Sequence, residues 1–257
     1  MDKSIRRTVL LYTILQLFFI VIFCLTDTVP YASAFVYGII TAVFHLALYF
    51  FLMRFKADFY NRSTNEPLAR INLANRITLL RISSLPMIVF LLANMELGEI
   101  KLMLPILLAL IFLTDAFDGL VARKGKQITK IGAMLDSISD YSLLAVISIV
   151  YYLHNIVPRW FFFLIFCRLF LQALGMFVFI LLKKPVSTTS TWGGKITIAS
   201  TMTLYIIELV RLYLPQSIAP AFRVIEYACG ALVFILYFEK ALIFFHQGKE
   251  LKQERRG

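Results

Sequence analysis

Four aspartates in two neighbouring stretches could do chemistry together. Asp115 and Asp118 sit in TDAFDGLVAR, at the end of the apolar run PILLALIFL, and Asp136 and Asp140 follow in GAMLDSISD. Their oxygens are hard donors. With no His or Cys nearby in sequence, such a set suits Mg2+ or Mn2+ rather than Zn2+. Two divalent ions would balance the four negative charges, and a two-metal acidic cleft suits phosphoryl chemistry. Left bare, the acids would be costly, since even one aspartate at the centre of a membrane helix costs roughly 2.5–3.5 kcal/mol. One aspartate at a helix end is usually a solvated cap, a reading that does poorly for four at once.

The elements that must position these acids are membrane helices. The chain has 257 residues, 60% of them hydrophobic, with a mean hydropathy of +0.80. Thr8 to Thr26 and Thr28 to Met53 carry no charge, and each is long enough to cross a bilayer as a helix. Eight spans are expected, at about 8–26, 32–53, 77–95, 102–122, 133–154, 160–182, 195–214 and 224–245. The first is read as a retained helix, because no clear small-residue cleavage site follows it. With the N-terminus inside, 21 Lys and Arg fall on the inner side and 4 on the outer, and Arg168 lies within a span. That bias places both termini in the cytoplasm. It also explains the net charge of +11 through topology and anionic lipid, so no nucleic-acid partner is expected. Cys24, Cys167 and Cys229 lie in or beside apolar segments and read as small hydrophobes. His45, His154 and His246 are widely spaced and read as structural.

This topology puts all four acids toward the inner ends of the fourth and fifth spans. The short loop RKGKQITK makes those spans antiparallel neighbours. Asp115, Asp118, Gly119 and Ala122 share an arc of about 100°. Gly132, Asp136 and Asp140 share about 80° of the facing helix. The small residues on these faces let a backbone or ligand come close. The longest polar connection, Arg54 to Asn75, separates a two-span N-terminal piece from six further spans. Its end suits either a helix lying along the inner surface or an ordinary linker. The expected division is residues 1–60 as a two-helix extension, 61–76 as the juxtamembrane segment, 77–246 as a six-helix catalytic domain and 247–257 as a charged tail.

The full string, Asp115-x2-Asp118-Gly119-x2-Ala122-Arg123-x8-Gly132-x3-Asp136-x3-Asp140, resembles the signature of the CDP-alcohol phosphotransferase (CDP-alcohol phosphatidyltransferase) family, with every fixed position present. The resemblance implies an all-α polytopic membrane protein, a six-helix bundle over about residues 70–250 preceded by two extra transmembrane helices. It implies a transferase that moves a phosphate-linked group from a CDP-activated donor to an alcohol and releases CMP. Asp115, Asp118, Asp136 and Asp140 would hold two Mg2+ or Mn2+ ions, and Asp140 would be the general base. Asp115, Gly119, Ala122 and Arg123 would lie along the nucleotide. Upstream, NRITLLRISSLP resembles the helix that leads into the family's motif, especially in phosphatidylglycerol-phosphate synthases. It matches at Asn75, Thr78, Arg81 and Pro86, and Asn75 and Thr78 would contact the nucleotide; basic anchors at a helix start are the other reading. Arg168 could bind an acceptor phosphate or pair with an aspartate. Lys195, in TWGGKI, resembles the family's Gly-Lys motif or is a snorkelling anchor. The family also suggests a homodimer.

Tyr141 stands where the phosphatidylglycerol-phosphate branch usually has Lys, Arg168-Leu169 where it has Arg-Glu, and Lys195-Ile196-Thr197 where it has Lys-x-Lys-Thr. These departures leave the acceptor open; the donor is expected to be CDP-diacylglycerol and the leading acceptor glycerol 3-phosphate. Inositol phosphate, serine, choline and phosphatidylglycerol remain as acceptors, and CDP-choline with diacylglycerol remains as a pair. From another class, a cation transporter would also line a path with acids, though it would more often show broken helices or paired repeats.

Overall fold

The computed structural model describes the chain except residues 27–28, 62–63, 65, 96–99, 101–102, 115–128, 182–191 and 255–257, with side chains described outside 175–181, 239–241 and 243–254 as well. All described regular structure is helical apart from two isolated bridges, Tyr60 with Pro67 and Asn61 with Thr129. The helices are α1 (Asp2–Leu25), α2 (Tyr31–Arg54), α3 (Leu73–Ser83), α4 (Leu85–Ala93) and α5 (Met103–Thr114). They continue as α6 (Lys130–Leu153), α7 (Arg159–Leu181), α8 (Trp192–Arg211) and α9 (Ala219–Glu254). Five stretches are long and apolar enough to cross a membrane: α1, α2, α3 with α4 together, α6, and Gln216–Phe238. Their outer faces are covered in apolar side chains, such as Leu10, Leu11, Ile14 and Phe18 on α1. A hydrocarbon solvent suits that surface, because every helix satisfies its own backbone.

The chain forms two compact units, Met1–Val146 and Ile147–Gly257. In the first, α1 packs on α2 and α3, and α2 packs on α4. Phe90 of α4 is fully buried, with its ring 6.0 Å from Phe23 of α1 and 5.2 Å from Tyr37 of α2. A buried polar tie reinforces this. Thr41 carbonyl oxygen lies 2.7 Å from His45 Nδ1, and Ser83 Oγ lies 2.6 Å from His45 Nε2. A carbonyl only accepts, so Nδ1 donates, and Nε2 of the neutral ring accepts from the serine hydroxyl.

The third span starts at Leu73, four residues earlier than the expected 77, because Asn72 caps it: its side chain accepts from Asn75 N–H at 3.0 Å. The span also breaks between Ser83 and Leu85. Pro86 lacks an N–H, and its ring crowds the carbonyl of Ile82 one turn back. Ser84 Oγ donates to Arg81 carbonyl oxygen at 2.7 Å at this break. Between α2 and α3 the described residues hold a 3-10 turn, Lys56–Asp58, and the two bridges. Between that turn and Leu73 no further helix is present among the described residues. Phe59 is buried there, and Lys130 Nζ at the start of α6 meets Asp58 at 2.7 Å.

In the second unit, α9 packs on α7 and α8. Trp160 stacks on Tyr227, ring centroids 5.3 Å apart, over Gly230, where a Cβ would come within 2.5 Å of the indole. Tyr151 hydroxyl donates to Tyr205 carbonyl oxygen at 2.8 Å, and Ser148 bonds the Tyr205 hydroxyl. Arg211 pairs with buried Glu208 at 2.9 Å and Glu226 at 3.5 Å, and donates to Ile156 carbonyl oxygen at 2.7 Å.

Candidate active site

Side chains of α3 and α6 meet in the first unit. Thr129 caps α6, its Oγ1 accepting from Gly132 N–H at 2.9 Å. The same hydroxyl lies 3.0 Å from Asn75 Nδ2 on α3. Gly132 permits this approach: a Cβ there would lie 2.5 Å from Asn75 Oδ1 and 2.6 Å from Thr129 Oγ1. Two turns further along, Arg81 reaches the same helix. Its Nε donates to Ser139 Oγ at 2.6 Å, and its Nη2 lies 3.0 Å from Asp136 and 3.3 Å from Asp140. Contacts that advance along both helices together mean that α3 and α6 run parallel. That is the relation expected of the third and fifth spans of an alternating bundle.

The helical-face reading is borne out for this half of the motif. Gly132, Asp136 and Asp140 do lie on one side of α6, and the Asn75, Thr78, Arg81 face of α3 is buried toward the interior. The two acids differ in environment. The Asp136 side chain is 49% exposed and that of Asp140 13%, while Arg81 is 0%. A charge buried so completely must be compensated in place. Arg81 is therefore a counter-charge inside the site. Its guanidinium sets one fixed positive charge beside two of the four acids. The sequence marks Arg81 as a matched position of the upstream helix, without its pairing to the acids. A signal was present, since Arg81 lies within the apolar stretch ITLLRISSLP, three residues after Thr78 and six after Asn75, on one helical face. Ser139 and Thr129 were also missed, and ordinary hydroxyls offer no such signal.

Asp115, Asp118, Gly119, Ala122 and Arg123 lie outside the described residues. Among the described residues no three His, Cys, Asp or Glu side chains gather as a metal site. Asp136 and Asp140 nevertheless suit a hard cation: both offer only oxygen donors, one helical turn apart, at the edge of a buried polar face. Asn75 and Thr78 are buried, and Thr78 Oγ1 donates to Ala74 carbonyl oxygen at 3.2 Å. Arg168 and Lys195 belong to the second unit, where Arg168 is buried and Lys195 exposed.

Comparison with known proteins decides what this arrangement belongs to. The profile of the CDP-alcohol phosphatidyltransferase family matches residues 71–236. The chain belongs to that family. The match begins two residues before α3, so α1 and α2 stand outside the family domain, as expected. Over 121 residues the chain is 36% identical to the CDP-diacylglycerol–glycerol-3-phosphate 3-phosphatidyltransferase of Rickettsia bellii (strain RML369-C), which covers 46% of this chain and 65% of the relative. Over 135 residues it is 37% identical to the probable phosphatidylglycerophosphate synthase of Mycobacterium tuberculosis, in strains CDC 1551 / Oshkosh and ATCC 25618 / H37Rv, covering 50% of this chain and 61% of the relative. The chain thus spans less than two thirds of the length of these relatives. The matched residues of this phosphatidyltransferase-family chain include Asp115, Asp118, Asp136 and Asp140.

Proposed function

We propose that the protein transfers a phosphatidyl group from CDP-diacylglycerol to an alcohol, with glycerol 3-phosphate the leading acceptor, and releases CMP. The observation that carries this reading is the convergence of Asp136 and Asp140 on the buried Arg81, within a chain of this family. The named relatives act on, or are named for, glycerol 3-phosphate products, which favours that acceptor. Asp115, Asp118, Asp136 and Asp140 would hold two Mg2+ or Mn2+ ions. Bound there, such ions supply charge neutralisation for the diphosphate and its leaving group.

The chain's own residues do the rest. The acceptor hydroxyl oxygen forms a bond to the phosphorus that bears diacylglycerol. The P–O bond to the CMP phosphate breaks, and CMP leaves with the electron pair. Asp140 takes the hydroxyl proton. Its carboxylate is held in place by Arg81 and lies in a mostly water-excluded position, where orientation contributes to rate. Arg81 keeps positive charge beside a site that must receive a polyanion. Gly119, Ala122, Arg123 and Asp115 are assigned to the nucleotide, with Asn75 and Thr78, and Asn75 also ties α3 to the start of α6 through Thr129. Arg168 and Lys195 are assigned to the acceptor's phosphate. With both termini in the cytoplasm, the site opens to the inner leaflet.

The test is CMP release by the purified chain with Mn2+, CDP-diacylglycerol and, separately, glycerol 3-phosphate, inositol phosphate, serine, choline and phosphatidylglycerol. Release should require glycerol 3-phosphate and fall by about 10²–10⁴ in Asp140→Asn. Full release in that variant removes Asp140 from the chemistry. Release with a different alcohol keeps the reaction and replaces the acceptor, and ion flux without CMP release would support a transporter instead.

A further inference from the structure

A cavity of about 570 Å³ opens where α1 begins and α3 begins. Lys3 and Arg7 of α1 line it on one side, and Arg70 and Arg76 on the other, with Asp2 and Ser4 between. The two walls are tied together. Ile71 N–H donates to Ser4 Oγ at 3.1 Å, and Tyr12 hydroxyl donates to Arg76 carbonyl oxygen at 2.9 Å. The acid in the lining, Asp2, pairs with Lys56 at 3.3 Å. Among the described residues, Lys3, Arg7, Arg70 and Arg76 form no ion pair. Four cations held around one hollow repel each other, and an anion inside would relieve that. Guanidinium groups in this number suit phosphate oxygens.

The position says which phosphate. Arg7, Leu10, Leu11 and Ile14 share one face of α1 at i, i+3, i+4 and i+7. The three apolar residues are more than half exposed, at 55%, 62% and 56%. A basic hollow at the head of an exposed apolar stripe matches a molecule with a phosphate head and hydrocarbon tails. We propose that this cavity, built jointly by the N-terminal extension and the start of the family domain, binds the phosphate headgroup of an anionic phospholipid, whose acyl chains lie along α1. The inference is independent of the proposed reaction.

Phosphatidic acid is a suitable probe, because it is neither donor nor product of that reaction. The full chain is placed in phosphatidylcholine nanodiscs containing phosphatidic acid, and the lipid retained after extraction is counted by native mass spectrometry. Lys3→Gln/Arg7→Gln should hold phosphatidic acid roughly thirtyfold more weakly. Arg159→Gln/Arg223→Gln, which removes the same charge elsewhere, should retain it like the parent. Equal retention in both double variants overturns the site. So does displacement by excess inorganic phosphate as effective as displacement by the lipid, which would mark a site for free phosphate. If the α1 double variant does not fold, Arg70→Gln, in the linker, gives the same reading with roughly a fivefold loss.

Discussion

Arg81 is the residue whose role changes most once side chains are placed. It bonds Ser139 and two of the motif's acids while fully buried. Removing it takes this cation away from Asp140, whose side chain is only 13% exposed, and leaves its own hollow unfilled. Arg81→Ala should therefore cost roughly 3 kcal/mol, the low end for a broken buried pair because Asp136 is half exposed. Denaturant unfolding in detergent measures this, and CMP release should fall with it. Arg81→Lys tests geometry apart from charge. A lysine cannot span Ser139 and both carboxylates with one head group, so stability should return in part and activity should not. Activity at the parent level in Arg81→Lys would mean that only the charge matters.

At the scale of elements, parallel contact between α3 and α6 depends on a glycine. Gly132→Ala drives a methyl group into Asn75 and Thr129 and should destabilise by about 1–3 kcal/mol, the usual cost of overpacking. In Gly132→Ala/Asn75→Ala one of the two clash partners is gone, so the two losses should not add in full. Thermal unfolding of the double-mutant cycle gives the coupling, and simple additivity would mean that the helices already separate at this point. A second prediction concerns α2. His45 links it to Ser83, two residues from Arg81. His45→Ala leaves the Ser83 hydroxyl and Thr41 carbonyl without this partner and should cost about 1–3 kcal/mol. The extension thus acts on the helix that carries Arg81, a role for α1 and α2 that composition does not suggest.

For the molecule as a whole, orientation is the quantity to measure. The expected split of 21 inner and 4 outer basic residues predicts that both ends of the chain lie on one side. In a background with Cys24, Cys167 and Cys229 replaced by Ser, Lys3→Cys and Lys249→Cys should react with an impermeant maleimide only when it is supplied from the cytoplasmic side. Arg159→Cys should react only from the other side. Labelling of Lys3→Cys and Lys249→Cys from opposite sides would change the number of crossings from even to odd, and with it the side on which the acids open.

The sequence by itself determined the membrane class, the helix-rich architecture and the family. Those follow from run length, charge bias and a long fixed spacing, all of which act locally along the chain. It also placed Gly132, Asp136 and Asp140 on one face, because a helix converts spacing into angle without outside help. Only the tertiary structure decided that the facing helix is α3, that Arg81 is the acids' partner, that Thr129 joins a cap to Asn75, and that the extension contributes to a basic hollow. These depend on which helices meet and in which direction they run. Burial supplies the physical reason: a guanidinium near water is an anchor, whereas the same group enclosed between helices must find its counter-charge there.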